Sequence, residues 1–127
     1  MQTDVNALPP GGFDYQPRTR LVFGANTVER VGDLARELGG RTVLVVTDRG
    51  IVTAGHAQRV EKLLQAAGLG VVIYDQVHEN PSTTDIDRCV AVAKEASIDL
   101  FVGLGGGSSM DTAKACNLIL TKFSIKK

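Results

Sequence analysis

The stretch Leu100-Phe101-Val102-Gly103-Leu104-Gly105-Gly106-Gly107-Ser108-Ser109-Met110-Asp111-Thr112-Ala113-Lys114 decides how this chain is read. Its first five residues are an apolar, strand-like run, and Ser109 to Leu120 keep helical spacing. Between them, consecutive glycines make a turn whose backbone N–H groups can approach an anion, and the helix N-terminus adds partial positive charge. A tight strand–helix connection needs fewer glycines than this, and each one costs conformational entropy. The pattern is that of a phosphate-holding turn in an α/β protein.

Upstream of the turn, apolar runs alternate with helical patterns. Thr42-Val43-Leu44-Val45-Val46-Thr47-Asp48 is a continuous β-branched run, as expected of a parallel strand covered on both faces. A helix is expected over 54–67, with Ala57, Val60, Leu63, Leu64 and Ala67 on one face and Gly68 ending it. Val71 to Asp75 is a further strand, Glu79-Asn80-Pro81-Ser82 a turn, and Ser82 with Asp85 opens a helix bearing Ile86, Cys89, Val90, Ala93 and Ala96. Nearer the start, Thr19 to Phe23 is a short strand, and Asn26 with Glu29 forms a capping box. That box starts a helix on which Val28, Val31, Leu34, Ala35 and Leu38 share a face. Strands alternating with such helices predict an α/β fold, a Rossmann-like parallel sheet with helices on both faces. Residues 1–17 read as a flexible lead-in, 18–121 as the domain and 122–127 as a short tail.

Composition bounds the partners. Lys+Arg and Asp+Glu are both 14 in 127 residues, so the formal net charge is zero and neither nucleic acid nor an anionic membrane surface is favoured. No segment reaches the ~18 apolar residues of a membrane span, and Met1 to Pro10 lack the pattern of a secretory signal. Cys89 and Cys116 lie inside helical patterns without metal-ligand spacing and read as buried small apolar residues, which suits a reducing, cytoplasmic setting.

Two generic phosphate templates fail. The dinucleotide fingerprint wants a third glycine where Ser108 stands, and it follows a first strand rather than a fourth. A nucleoside-triphosphate loop wants Gly-Lys-Ser/Thr at a spacing this turn lacks. The longer string Gly105-Gly106-Gly107-Ser108-x-x-Asp111-Thr112-Ala113-Lys114, however, resembles the glycine-rich motif of the iron-containing (group III) alcohol dehydrogenases. Phe23-Gly24, Val45-Val46-Thr47-Asp48 and Asn80-Pro81-Ser82 fall where that family has corresponding elements. The resemblance implies an N-terminal NAD-binding α/β domain followed by a helical domain in which one Asp and three His hold a divalent metal, iron or sometimes zinc. It implies hydride transfer between an alcohol or aldehyde and NAD. The chain ends where the helical domain would begin, and neither His56 nor His78 matches a ligand motif, so the metal is not expected on this chain.

Each candidate has a plain structural reading beside its functional one. Gly105, Gly106, Gly107 and Ser108 are expected to approach the cofactor phosphates. Asp48 closes a strand at the edge where open parallel sheets bind ligands; it is either a helix cap or, by resemblance, the carboxylate that accepts from the adenosine ribose hydroxyls and so favours NAD over NADP. Asn80 either initiates a turn or contacts the cofactor. Asp111 either closes a capping box on Ser108 or lies near the nicotinamide, as the resemblance suggests. Lys114 reads as solvent-facing, Tyr74 and Phe101 as core, and His56 and His78 as surface residues without function. Besides the dehydrogenase reading, a non-catalytic nucleotide-binding module and a hydroxyacid–oxoacid transhydrogenase of the same superfamily stay open. Glycerol dehydrogenase and dehydroquinate synthase relatives fit the Ser109-Met110-Asp111-Thr112 string less well. A homo-oligomer is compatible with exposed apolar surface.

Overall fold

In the computed structural model, residues 24–125 are described. The lead-in and the strand expected over 19–23 lie outside them. Helix α1 (Val31–Glu37), entered by a 3-10 turn over Thr27–Arg30, precedes strand β1 (Thr42–Val46). Helices α2 (Arg49–Thr53) and α3 (His56–Ala66) lead to β2 (Gly70–Tyr74), α4 (Thr83–Glu95) to β3 (Leu100–Gly103), and α5 (Gly107–Ile125) closes the described chain. The strands are all parallel, in the order β2-β1-β3, so the sheet is α/β as expected.

The β-branched run makes β1 the centre of the sheet. Val43 to Val46 are fully buried, and their side chains alternate between the two layers. Leu44 and Val46 join Tyr74, Val77, Cys89, Val90, Ala93, Ala113 and Cys116 under α4 and α5. Val43 and Val45 join Ala35, Val60 and Leu64 under α1 and α3. The crossover after β1 therefore lies on one face and that after β2 on the other. The chain turns back across β1, which leaves a topological switch between β1 and β3. Both cysteines are free and buried, and the hydrogen bond with Cys116, together with burial, pushes the Cys89 thiol up.

Several local expectations are corrected. The helix expected over 54–67 is α3, and a short helix not expected from the pattern precedes it: Asp48 caps α2 through Ile51 N (2.9 Å), and Gly55, at φ 89°, breaks the backbone before α3. No capping box forms at Asn26. That residue is left-handed (φ 61°) rather than extended, so only its carbonyl takes the Glu29 N–H (3.1 Å), while the Glu29 carboxylate pairs with Arg59 (3.4 Å). Leu38, expected on the buried face, is 75% exposed, since α1 ends at Glu37 before that turn is complete. The last helix begins at Gly107, not Ser109, and runs past Leu120 to Ile125. The helix opened by Ser82 and Asp85 does form, and it starts with a capping box: Ser82 Oγ accepts from Asp85 N (3.2 Å) and Asp85 Oδ2 accepts from Ser82 N (2.9 Å), which holds the Asp85 carboxyl below its ordinary range.

Candidate functional site

The site grows out of the way the strands end. Thr47, fully buried just past β1, donates from Oγ1 to the Leu104 carbonyl (2.8 Å) and from its N–H to the Tyr74 carbonyl (2.8 Å). Its own carbonyl accepts from Val77 N (3.3 Å), and Leu104 N donates to the Val46 carbonyl (2.9 Å). One threonine thus ties together the C-terminal ends of all three strands. Buried in an apolar surround, its hydroxyl needs such a partner. The loops that leave this knot carry the candidates.

Those loops enclose a cleft of about 420 Å³ lined by Asp48, Val77, His78, Glu79, Gly106, Gly107, Ser108 and Ser109. It lies at the carboxyl ends of the strands beside the switch point, where open α/β sheets bind ligands. Its floor is the start of α5. Gly106 accepts the first helical bond from Met110 N (3.3 Å), so Gly107, Ser108 and Ser109 occupy the first turn, whose N–H groups have no acceptor within the helix. A side chain at Gly106 or Gly107 would meet nothing within 4 Å, so the space over both is open. Gly105 differs. Its φ is 125°, and a Cβ there would stand 3.2 Å from Ile51 Cγ1 and 3.3 Å from Ser109 Oγ.

One polar atom of this floor stands out. Ser109 Oγ is buried and, among the described residues, has no hydrogen-bond partner. An unmet hydroxyl in such a place carries a free-energy cost that a bound acceptor would relieve. Thr112, equally buried, satisfies itself by donating to the Ser108 carbonyl (2.7 Å), the back-bonding usual for threonine in a helix.

The predicted residues are partly brought together. Asp48, Gly106, Gly107 and Ser108 line the cleft, and Gly105 shapes its floor from beneath. Asp48 is also the helix cap. Oδ1 serves α2, while Oδ2 would stand 3.6 Å from a Cβ at Gly105. Asn80 is exposed and left-handed (φ 50°), as a turn asparagine can be, and is not among the lining residues. Asp111 is exposed on α5 outside the cleft. Because α5 starts at Gly107, Ser108 is not its N-cap and the expected capping box with Asp111 is not made. Lys114 is exposed, as expected, beside a separate groove of about 250 Å³ along β3 and α5. Sequence reasoning missed Ser109, Val77, His78 and Glu79 as cleft residues. For Ser109, a serine one place beyond the glycines was a usable signal; the other three become visible only once β2 is seen to end beside β1.

Among the described residues, no group of three or more His, Cys, Asp and Glu could hold a metal ion. Nor, among them, is any helix long and apolar enough to cross a membrane.

Comparisons with known proteins bear on the family and the fold. The chain is 37% identical over 99 residues to alcohol dehydrogenase 4 of Saccharomyces cerevisiae, covering 78% of this chain and 26% of that protein. It is 37% identical over 98 residues to the NAD-dependent methanol dehydrogenase of Bacillus methanolicus, covering 77% of this chain and 26% of that one. The solved NADH-dependent butanol dehydrogenase A of Thermotoga maritima superposes with a TM-score of 0.76 at 32% identity, over 83% of this chain and 27% of that structure. The chain thus spans about a quarter of the length of the curated relatives it matches. The family described as iron-containing alcohol dehydrogenase matches residues 17–127, and with the three-stranded parallel sheet and its glycine-floored cleft in view, the chain belongs to that family.

Proposed function

We propose that this chain is the NAD-binding portion of an NAD-dependent alcohol dehydrogenase, with residues 18–121 as the dinucleotide domain and α5 carrying it on to Ile125. The observation that carries the reading is the buried, unpartnered Ser109 Oγ on a glycine floor with open space above it. The free N–H groups of the first turn of α5 would hold the pyrophosphate, helped by the helix dipole and the Ser108 and Ser109 hydroxyls. Asp48, at the end of β1, would accept from the adenosine ribose hydroxyls and repel a 2′-phosphate. When bound, the nicotinamide supplies hydride chemistry on a small alcohol or aldehyde; this chain's task is to grip and orient the cofactor. The names of the methanol and butanol dehydrogenase relatives favour NAD over NADP.

Asp48→Asn separates this role from capping, because an asparagine Oδ1 still accepts from Ile51 N while the negative charge is gone. Calorimetric titration of the wild-type chain should show binding of NAD in preference to NADP. In Asp48→Asn the preference should fall by about tenfold or more, an expected change of about 1.4 kcal/mol in discrimination. An unchanged ratio would remove Asp48 from the cofactor site.

A second reading, a module that binds nucleotide without turnover, draws on the lack of a metal-holding cluster among the described residues. Mixing the pure chain with NAD and butanol and following absorbance of reduced cofactor tests it. Binding without reduction is expected of the isolated portion, and sustained reduction would defeat that expectation.

A further inference from the structure

We propose that the outer edge of β3, with the groove it forms against α5, is a docking surface for a parallel β-strand of a second polypeptide: the portion of a family relative that lies beyond the stretch this chain matches. Among the described residues β3 pairs with β1 alone, so one side of its backbone has no ladder. The Arg41 carbonyl and Thr47 N bond toward β2, and alternate residues of a strand share a side, so Leu44 and Val46 bond toward β3. The bond from Leu104 N to the Val46 carbonyl agrees. In a parallel ladder a residue bonds to the two neighbours of its register partner, so Leu44, paired with Phe101, reaches Leu100 and Val102. The N–H and C=O groups of Phe101 and Gly103 are left on the free edge, a template on which a further strand adds. Burial agrees. Val43 to Val46 are fully buried, whereas Leu100, Phe101 and Val102 are half-buried, although a parallel sheet is covered on both faces. Beside them a groove of about 250 Å³ passes Phe101, Met110, Lys114 and Asn117, with Met110 46% exposed.

The topology sets the direction and the source of that strand. α4 lies on the layer that covers Leu44 and Phe101, and it carries the chain from β2 across β1 to β3. α5 packs on the same layer and leaves from the carboxyl end of β3. Two crossovers on one layer that keep one hand advance in one direction, so the strand that α5 leads toward lies beyond β3 and parallel to it. Relatives have the polypeptide to supply it, since this chain covers 26% of the methanol dehydrogenase of Bacillus methanolicus. A second copy fits the edge less well. A two-fold pair there is antiparallel, and Lys114, between Met110 and Asn117 along the groove, would meet its own copy in a like-charge contact.

Co-expression of the 127-residue chain with the tagged segment of that methanol dehydrogenase that follows its matched stretch tests this. A one-to-one complex by light scattering is expected. In it, hydrogen exchange at the Phe101 and Gly103 amides should slow by about tenfold or more relative to the chain alone, because ladder bonding protects such groups. Met110→Glu puts a charge into the groove from an exposed position and should cut recovery of the complex by about tenfold or more. Leu38→Glu, at a residue 75% exposed on the far side of the sheet from α5, is the control and should behave as the wild type. Circular dichroism checks that each variant is folded. No complex, a complex in which Phe101 and Gly103 exchange unchanged, or one indifferent to Met110→Glu overturns the proposal. So does a chain that protects both amides by itself: as a dimer it would give the edge to a second copy, and as a monomer to its own residues. Whether the chain takes up NAD does not enter this test, so the dinucleotide reading stands or falls separately.

Discussion

Leu44→Ala is expected to lower the unfolding free energy by about 2–5 kcal/mol, toward the upper end of that range. Leu44 is fully buried and sits in the middle of the central strand, in register with Val72 on one side and Phe101 on the other. A strand hydrogen-bonded along both edges cannot shift to fill the space that a shortened side chain leaves. The loss therefore includes the cavity as well as the lost transfer free energy. The cavity would open under α4 and α5, in the layer that also holds Tyr74, Cys89 and Cys116. Urea unfolding followed by circular dichroism should show a lower midpoint. Leu38→Ala, at a residue 75% exposed, should stay within about 0.5 kcal/mol of the wild type. A loss below about 1 kcal/mol for Leu44→Ala would contradict the placement of β1 at the centre of the core.

That pair of substitutions also marks what could be read from residues in order. The run from Thr42 to Val46 names its own environment, because only a strand covered on both faces tolerates apolar side chains at every position. The glycine turn after Leu104 and the helix start at Ser82 were equally legible, since each is set by neighbours along the chain. Leu38 was misread because a helical face is counted by periodicity, and periodicity does not say in which turn the helix stops. The split between α2 and α3 depends on two single residues, the Asp48 cap and the left-handed Gly55, which an apolar pattern averages over. At the site, Asp48 and the glycines could be placed from strand ends alone. Val77, His78 and Glu79 could not, because they reach the cleft through the side-by-side pairing of β1 and β2, a contact between residues about thirty positions apart.

Gly105→Val should abolish measurable NAD binding while leaving a weakened fold, and the contrast with Gly106→Ala gives the result its meaning. At Gly105 the backbone has φ 125°, which side-chain-bearing residues rarely adopt, and a Cβ would come within 3.2 Å of Ile51 Cγ1 and 3.3 Å of Ser109 Oγ. Both neighbours belong to the site's frame: Ile51 N is the donor held by Asp48, and Ser109 is buried in the first turn of α5. The chain can accept a valine there only by moving the turn, and that displaces the N–H groups meant for phosphate. The strain should cost about 1–3 kcal/mol in unfolding free energy, the range for a residue forced into sparsely populated backbone. Binding should weaken by about a hundredfold or more, equivalent to about 2.7 kcal/mol. At Gly106 nothing lies within 4 Å of a Cβ, so Gly106→Ala should leave stability within about 0.5 kcal/mol of the wild type. Its methyl group would stand in the open space over the floor, where a pyrophosphate must come close to the backbone, so binding should still fall. A Gly106→Ala chain that keeps full affinity would mean the glycines serve only the turn. If stability and affinity fell together in both variants, the cleft would be linked to folding alone. Loss of affinity without loss of stability at Gly106 is the outcome that only a backbone held open for a ligand explains.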